Sequence, residues 1–226
     1  MANIVFLQRL YWEYGGPSIM SAVLKSQGHE VSILIGEKSN SFLRRIKNKD
    51  IIAFSVMTGM HNWAVKIASE IKEKIDILAV FGGAHPTYFP EIIRNPAVDV
   101  VCIGEGEYPM LELGNALDKD LDISNTPNLW VKRDGIIYKN EMRPLIDNLD
   151  TLPFPDRDVY YNTYPYLRND PVKTFKVARG CPYRCSFCFN STLQEMYRGK
   201  GKYIRFRSPQ NIIAEISQVR GRYGLK

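Results

Sequence analysis

The stretch ILAVFGGAHPT, residues 77–87, is a short apolar run that passes directly into two glycines and a polar loop. A run of this length, rich in branched side chains and closed by a turn, is typical of a buried β-strand. Four further runs have the same character: NIVFLQ (3–8), EVSILI (30–35), IIAFSV (51–56) and VDVVCIG (98–104). The first half of the chain therefore contains a series of strand-length segments.

Helical patterns lie between these runs. In PSIMSAVLKSQG (17–28), Pro17 suits a first helical turn and Gly28 suits a helix stop. The segment NWAVKIASEIKE (62–73) carries apolar residues at helical spacing. Strands that alternate with helices imply right-handed crossovers and a parallel sheet covered on both faces. The sequence thus predicts a doubly wound, Rossmann-like α/β domain over residues 1–118.

Such a sheet binds ligands beyond the carboxyl ends of its strands. Glycine and small hydroxyl residues follow the predicted strands in YGGPS (14–18), SVMTGMH (55–61), FGGAHPT (81–87) and GEGE (104–107). Glycine lets a ligand approach the backbone, and helix N-termini offer free N–H groups to phosphate. Tight turns alone would explain any one of these loops, whereas four on one edge favour a crevice for a large ligand.

The three histidines are weak indicators of a metal site. His61 and His85 lie in the strand-end loops and could contact a ligand, whereas His29 follows a helix stop and is expected at the surface. Cys102 lies within an apolar run and is expected in the core. The sequence lacks G-x-G-x-x-G after the first strand and lacks G-x4-G-K-[ST], which disfavours dinucleotide and P-loop phosphate sites.

The chain has 226 residues and a formal net charge of +6. This charge suits a phosphate-bearing cofactor, an acidic substrate or RNA, without choosing among them. The sequence shows neither a signal-peptide pattern nor a run long enough for a membrane span, so we expect a cytoplasmic protein. In that reducing compartment, clustered cysteines indicate metal binding or catalysis in preference to disulfides.

The composition changes over residues 119–170. An Asp-Gly turn at Asp134 and Gly135 separates two short β-prone runs and predicts a hairpin. The following segment, residues 149–171, is rich in proline, aspartate and tyrosine and has little periodicity, as in an ordered linker. We therefore place a domain boundary here, with a further domain over residues 171–226.

Three of the four cysteines stand in RGCPYRCSFCFN, residues 179–190, after a predicted strand at 172–180. Cys181, Cys185 and Cys188 can hold three irons of a 4Fe-4S cluster and leave the fourth iron open to a substrate or cofactor. A structural zinc site is the alternative, but it needs four protein ligands, and no other Cys or His occurs between residues 103 and 226. The spacing favours the open cluster.

The pattern C-x3-C-x2-C, with Phe187 directly before the last cysteine, resembles the signature of radical S-adenosylmethionine enzymes. The upstream stretches GGAHPT, VDVVCIGEGE and LDTLPFPDRD resemble the cobalamin-dependent branch of that superfamily, which has an N-terminal cobalamin-binding domain. That branch includes anaerobic magnesium-protoporphyrin monomethyl ester cyclases and many methyltransferases. The resemblance extends over nearly the whole chain.

The resemblance implies a role for each of these residues. Cys181, Cys185 and Cys188 would ligate the cluster, S-adenosylmethionine would chelate the open iron, and Phe187 would lie against the adenine. The cobalamin cleft would be lined by Ser55, Thr58, Gly82, Gly83, His85, Gly104 and Glu105. A D-x-H-x-x-G motif is missing, so the corrin would bind without a histidine ligand from that motif.

The resemblance also implies methyl transfer, cyclisation or rearrangement on a small-molecule substrate that the sequence does not identify. Reduction of the cluster would come from an external electron donor such as flavodoxin or ferredoxin. The sequence does not identify a catalytic residue beyond those that bind cofactors.

The radical domain departs from the family in length, since 38 residues follow Cys188. We expect them to form the first β/α unit of a partial TIM-like barrel, with Ser208 capping a helix whose first turn holds Pro209. The buried face of that helix is predicted at Ile212, Ile213, Ile216 and Val219. The chain is therefore expected to be an N-terminal fragment, with a second chain as a possible source of the remaining barrel.

Two other functions stay open. The chain could be a cobalamin-binding module without catalysis of its own. It could also be a radical RNA-modifying enzyme, because basic and aromatic residues alternate in YRGKGKYIRFR, residues 197–207. A basic run of this length is more often a solvated edge, so the sequence disfavours nucleic acid as a partner.

Overall fold

The computed structural model describes residues 1–225 of the chain. Their contacts divide them into two compact units. The first unit consists of Met1–Met142 together with Pro155–Tyr160, and the second consists of Arg143–Phe154 and the residues from Tyr161 onward.

A seven-stranded sheet forms the centre of the first unit. Its strands are β1 (Asn3–Gln8), β2 (Glu30–Ile35), β3 (Ile51–Ser55), β4 (Leu78–Gly82), β5 (Val100–Cys102), β6 (Leu129–Arg133) and β7 (Ile136–Lys139). The order across the sheet is β2-β1-β3-β4-β5-β6-β7, and the first five strands are parallel. The side chains of these five are nearly all buried, as expected for a parallel sheet covered on both faces. The predicted doubly wound α/β fold is confirmed.

Helices connect the parallel strands. They are α1 (Gly15–Ser26), α2 (Asn40–Ile46), α3 (His61–Lys72), α4 (Ala84–Tyr88) and α5 (Glu107–Asp118), with a 3-10 turn at Pro90–Arg94. The apolar stripe predicted on α3 is buried, as its residues Ala64, Ile67, Ala68 and Ile71 show. None of the helices in residues 1–225 is both long and apolar enough to cross a membrane.

The hairpin β6–β7 extends the sheet. Asp134 and Gly135 have φ angles of 52° and 76°, the left-handed conformation that a two-residue hairpin turn requires. β6 pairs antiparallel with β5, with Trp130 opposite Val101. The hairpin shares the sheet of the first unit, so the first segment of that unit extends past the predicted boundary at residue 118 and ends at Met142.

His29 is buried, which corrects the expected surface position. Only 5% of its surface is exposed; its Nδ1 accepts a hydrogen bond from the Ala2 N–H (3.2 Å), and its Nε2 lies 3.0 Å from Asn115 Oδ1. Gly114 on α5 leaves room for the ring, since a Cβ there would lie 3.3 Å from it. The helix stop at Gly28 turns the imidazole inward between the start of β1 and α5.

The second unit contains short elements. They are a 3-10 turn (Leu149–Thr151), α7 (Pro165–Asn169), β8 (Ala178–Arg179), α8 (Phe189–Met196), β9 (Arg205–Phe206) and α9 (Pro209–Tyr223), and α6 (Asp158–Tyr161) precedes α7 where the chain passes from the first unit. β8 and β9 form an antiparallel pair. The strand predicted at 172–180 is reduced to two residues, because only these two pair with another strand.

Helix α9 begins as predicted, and the side chains that it buries agree only in part with those predicted. The Ser208 side chain accepts a hydrogen bond from the Asn211 N–H (3.1 Å), which caps the helix. Val219 is 3% exposed, but Ile213 is 61% exposed, so the predicted apolar face is only partly buried. Glu215 occupies the buried side instead, where it forms an ion pair with Arg207.

Gly83 allows the loops after β3 and β4 to approach each other. The Val56 N–H donates to the Gly82 carbonyl (2.7 Å), and the His85 N–H donates to the Val56 carbonyl (2.9 Å). Gly83 lies between these bonds with φ 93° and ψ −166°, a combination confined essentially to glycine. A Cβ at this position would lie 2.8 Å from the Val56 nitrogen, so any larger residue would push the two loops apart.

We expect Gly83→Ala to lower the free energy of unfolding by about 3 kcal/mol, because it adds a backbone clash to an unfavourable φ. Gly59→Ala is the matched control: φ is 95° there, but a Cβ meets nothing within 4 Å. The control should cost about 1 kcal/mol, from φ alone. Urea unfolding of both variants measures the difference, and equal losses would contradict the close approach at Gly83.

Candidate functional site

A crevice opens at the carboxyl ends of β1 and β3. β1 pairs with β2 on one side and β3 on the other, so this is the switch point of the sheet, where doubly wound folds bind ligands. The enclosed cavity at this point is only about 10 Å³, room for about one water molecule. Its lining includes Gln8, Tyr14, Ser55, Met57, Met60 and Trp63.

Four of the predicted site residues meet beside this crevice. Ser55 and Gly82 are directly opposite each other in the register of β3 and β4. Thr58 Oγ1 lies 3.1 Å from His85 Nδ1, which ties the loop after β3 to the loop after β4. Small residues therefore stand at the carboxyl ends of both β3 and β4.

His85 is part of an aromatic stack. It is 8% exposed, and its ring lies 4.0 Å from the His61 ring, with an interplanar angle of 13°. The Phe89 ring lies 5.1 Å from the His85 ring, at an interplanar angle of 32°. Burial, and then the nearby His61, lower the pKa of His85. The neutral imidazole is therefore the favoured form at this edge.

Thr87 connects the third loop of the edge, after β5. Its hydroxyl donates to the Gly83 carbonyl (2.8 Å) and accepts from the Gly104 N–H (3.0 Å). Gly104 has φ 77°, and Glu105 beside it is half-buried. The structure thus brings the predicted residues after β3, β4 and β5 to one edge, and their part in binding a cofactor stays a prediction.

Sequence reasoning missed three residues of this edge: Thr87, Gln8 and Trp12. Thr87 stands in the quoted loop FGGAHPT, and a hydroxyl two residues after His85 was an available signal. Gln8 ends β1 and is 5% exposed, while Trp12 in the next loop is 64% exposed. The aromatic run LYWEY (10–14), which directly follows a buried strand, was an available signal for Trp12.

The cysteine loop lies in the second unit, between β8 and α8. Gly180 has φ 86°, and a Cβ there would lie 2.2 Å from the Tyr203 carbonyl oxygen, so the loop starts at a close backbone approach. Cys188 is the N-cap residue of α8, and its N–H donates to the Cys185 carbonyl (3.1 Å). Cys185 and Cys188 therefore stand at the two ends of one tight turn.

A polar chain supports Cys188. Asn190 Nδ2 donates to its Sγ (3.4 Å), and the Tyr203 hydroxyl lies 3.2 Å from Asn190 Oδ1. Burial raises the pKa of the Tyr203 phenol, and the nearby Cys181 and Cys188 raise it further. Tyr203 is therefore close to two of the three cysteines of the loop.

The three thiols are ligands of the type that an iron–sulfur cluster takes. None is in a disulfide; Cys185 is exposed, and Cys181 and Cys188 are half-buried. Thiolates are the soft ligands that such clusters take. Within residues 1–225, no three His, Cys, Asp or Glu side chains are gathered closely enough to hold a metal ion as they lie. Phe187, predicted beside the adenine, is 91% exposed, and Cys102 is buried in the core as expected.

Comparison with protein families identifies the first unit. Residues 12–114 match the B12 binding domain. The chain is 32% identical to an uncharacterized methyltransferase of Pyrococcus horikoshii, over 93% of this chain and 47% of that protein. It is 26% identical to the anaerobic magnesium-protoporphyrin IX monomethyl ester cyclase of Synechocystis, over 94% of this chain and 42% of that protein. The chain thus spans about half, or less, of the length of these curated relatives.

A further relative and two solved structures agree. The cobalamin-dependent radical SAM methyltransferase TokK of Streptomyces tokunonensis is 29% identical over 63% of this chain and 22% of its own length. The radical enzyme OxsB with aqua-cobalamin bound has a TM-score of 0.76 and 21% identity, over 100% of this chain and 33% of that one. The methyltransferase TsrM of Kitasatospora setae, with cobalamin and a [4Fe-4S] cluster bound, has a TM-score of 0.71 and 16% identity, over 98% and 47%.

The solved structures establish the fold, and the sequence relatives establish the kinship. Residues 12–114 match the B12 binding domain, and the sequence relatives of the chain include a cobalamin-dependent radical SAM methyltransferase.

Proposed function

We propose that this chain binds cobalamin and a 4Fe-4S cluster and serves radical S-adenosylmethionine chemistry on a small molecule, by methyl transfer, cyclisation or rearrangement. One observation carries the proposal: three thiols outside any disulfide stand within eight residues of a chain that also has a B12 binding domain. Either feature alone has other uses, whereas their combination in one chain points to this class.

The cobalamin site is proposed at the carboxyl edge of the first unit. Cobalamin, when bound there, would supply a cobalt centre able to carry a methyl group. The chain supplies the rim: Thr58 and His85 join two loops, and Thr87 joins the third. A rim fixed by its own hydrogen bonds needs little ordering when a ligand arrives, which favours binding.

The cluster site is proposed at Cys181, Cys185 and Cys188. A cluster held there would supply the electron that cleaves the sulfonium of S-adenosylmethionine. Asn190 donates a hydrogen bond to the Cys188 sulfur, and such bonds to ligand sulfurs tune the reduction potential of a cluster. Reduction would require an external donor of the flavodoxin or ferredoxin kind.

RNA modification loses support from the structure. Arg198, Arg205 and Arg207, three of the five basic residues in the 197–207 run, have partners within the second unit; Arg198 pairs with Glu195 at the surface. Arg205 is buried and donates to the Ile146 carbonyl (2.7 Å), and Arg207 pairs with Glu215 and donates to Asn211 Oδ1 (2.6 Å). Their charges hold the unit together and are not offered to a phosphate backbone.

After anaerobic reconstitution with iron and sulfide, we expect about four irons per chain, the content of one cubane cluster. Cys181→Ala, Cys185→Ala and Cys188→Ala should each lose most of the iron, because two thiols cannot hold the cluster. Cys102→Ala is the control, since this cysteine is a core residue. Metal analysis of the desalted proteins gives the result.

Iron that survives all three loop substitutions would contradict the cluster site. A chain that retains hydroxocobalamin but never iron would be the cobalamin-binding module without catalysis of its own. The absence of a gathered metal site among residues 1–225 is the observation that keeps this second candidate in view.

The stability of the first unit should fall as the pH falls. The pKa of His85 is lowered in the fold by burial and by His61, so the unfolded chain takes up a proton more readily. Stability from this group is therefore full above the unfolded pKa of about 6.5 and is lost as the pH drops through the folded pKa. Urea unfolding of the chain at a series of pH values should show this loss of unfolding free energy, and His85→Gln should show a smaller loss. If the free energy of unfolding falls equally with pH in both proteins, the prediction is wrong.

A further inference from the structure

Asn190 and Tyr203 form a hydrogen-bonded pair directly beside Cys188. Asn190 Nδ2 donates to Cys188 Sγ over 3.4 Å, and the Tyr203 hydroxyl lies 3.2 Å from Asn190 Oδ1 and 3.3 Å from the Asn190 carbonyl oxygen. All three residues are half-buried. The pair therefore contacts the thiol at a place that water reaches only in part.

Helix α8 places Asn190 for this contact. Cys188 is the N-cap residue of the helix, and Asn190 is the second residue of its first turn. The Ser191 hydroxyl donates to the Cys188 carbonyl (2.8 Å), which fixes the backbone of the cysteine in the same turn. Asparagine side chains near a helix start usually bond to the backbone. Asn190 donates to a sulfur instead, which is a specific arrangement.

The strand pair of the second unit places Tyr203. β8 leads into the cysteine loop through Gly180, and Tyr203 stands two residues before β9, whose Arg205 is opposite Arg179 in the register. Gly180 has φ 86°, and a Cβ there would overlap the Tyr203 carbonyl. The start of the cysteine loop and the tyrosine therefore lie against each other, held by strand pairing.

The Tyr203 hydroxyl determines which way the Asn190 amide faces. A phenol has one hydrogen to donate, and both atoms within its reach on Asn190 are oxygens. With Oδ1 accepting from the hydroxyl, Nδ2 is directed at the sulfur. In the reversed amide, Oδ1 would face the lone pairs of the sulfur, which a thiolate repels. The tyrosine thus keeps a donor on Cys188.

A donor on a ligand sulfur favours the reduced form of an iron–sulfur cluster. Reduction adds negative charge that the ligand sulfurs share, and an N–H bond to a more negative acceptor is stronger. Hydrogen bonds to the sulfurs are accordingly among the features that set cluster potentials. Partial burial of the Asn190–Cys188 bond strengthens its effect, because less water screens it.

We propose that Tyr203 is a positioning residue of the cluster site, whose hydroxyl holds the Asn190 amide toward Cys188 so that this bond raises the reduction potential of the cluster. The inference rests on the proposed function and adds to it the control of electron uptake by residues outside the C-x3-C-x2-C pattern. A higher potential eases delivery of the electron from an external donor.

A redox titration of the reconstituted chain, followed by electron paramagnetic resonance, measures this effect. At a fixed potential, Asn190→Leu should raise the ratio of oxidised to reduced cluster about tenfold, which lowers the midpoint potential by about 59 mV for one electron. Ser191→Ala is the matched control and should leave the potential unchanged, because Ser191 bonds to the Cys188 carbonyl and not to its sulfur.

Tyr203→Phe tests positioning, because it keeps the ring and removes only the hydroxyl. We expect the ratio of oxidised to reduced cluster to rise about threefold, and Tyr203→Phe to add no shift to Asn190→Leu, since no amide remains to be held. Additive shifts would show that Tyr203 does not act through Asn190. Tyr183→Phe, in the cysteine loop and 72% exposed, is the control for a lost hydroxyl and should leave the potential unchanged.

Pulsed electron paramagnetic resonance of the unmodified chain gives a test that needs no variant. With ¹⁵N in the side-chain amides of asparagine, the reduced cluster should show a magnetic coupling to a ¹⁵N nucleus, because Asn190 Nδ2 bonds to a ligand sulfur. This measurement decides the matter if the variants fail to retain iron.

The outcomes separate the inference from the proposed function. If the chain holds a cluster but the labelled amide is uncoupled, or if Asn190→Leu holds a cluster of unchanged potential, the inference is wrong and the proposed function stands. If the unmodified chain holds no cluster at all, the proposed function is wrong and the inference falls with it.

Discussion

Strand β1 pairs in parallel with β2 on one side and with β3 on the other, and the site proposed at the carboxyl edge depends on this arrangement. The chain leaves β1 toward β2 and returns to begin β3 on the opposite side, so the connections diverge above the strand ends. The loops after β1, β3, β4 and β5 all emerge at the same edge as a consequence. Residues far apart in sequence, such as Gln8 and His85, thereby serve one surface.

Hydrogen bonds among these loops convert the edge into a preformed surface. Val56 donates one backbone hydrogen bond and accepts another on either side of Gly83. Thr87 connects the loops after β4 and β5. Gln8 and Tyr160 fix the loop after β1. Binding at such an edge orders few protein residues, so it costs little conformational entropy. In the second unit, local contacts likewise fix the surroundings of Cys188, and they involve Gly180, Asn190 and Tyr203.

Local signals predicted the strands, the main helices, the Asp134–Gly135 turn and the core position of Cys102, because each depends on neighbours in sequence. Long-range pairing could not be read in the same way. The burial of His29 depends on Ala2 and Asn115, and the attachment of Tyr160 depends on Gln8, 152 residues away. The exposure of Ile213 likewise depends on what packs against α9 and not on its helical spacing. The cysteine motif lies within eight residues, so its prediction needs no long-range pairing, and the cluster itself stays a prediction.

Three thiols, unlike four, leave one iron of a cluster open to S-adenosylmethionine. Electron paramagnetic resonance of the anaerobically reconstituted and reduced chain, with and without S-adenosylmethionine, tests this most directly. We predict that the g values of the reduced cluster change when S-adenosylmethionine is added, because its amino and carboxylate groups coordinate the open iron. A reduced cluster with the same signal under both conditions, or no cluster signal at all, would contradict the account.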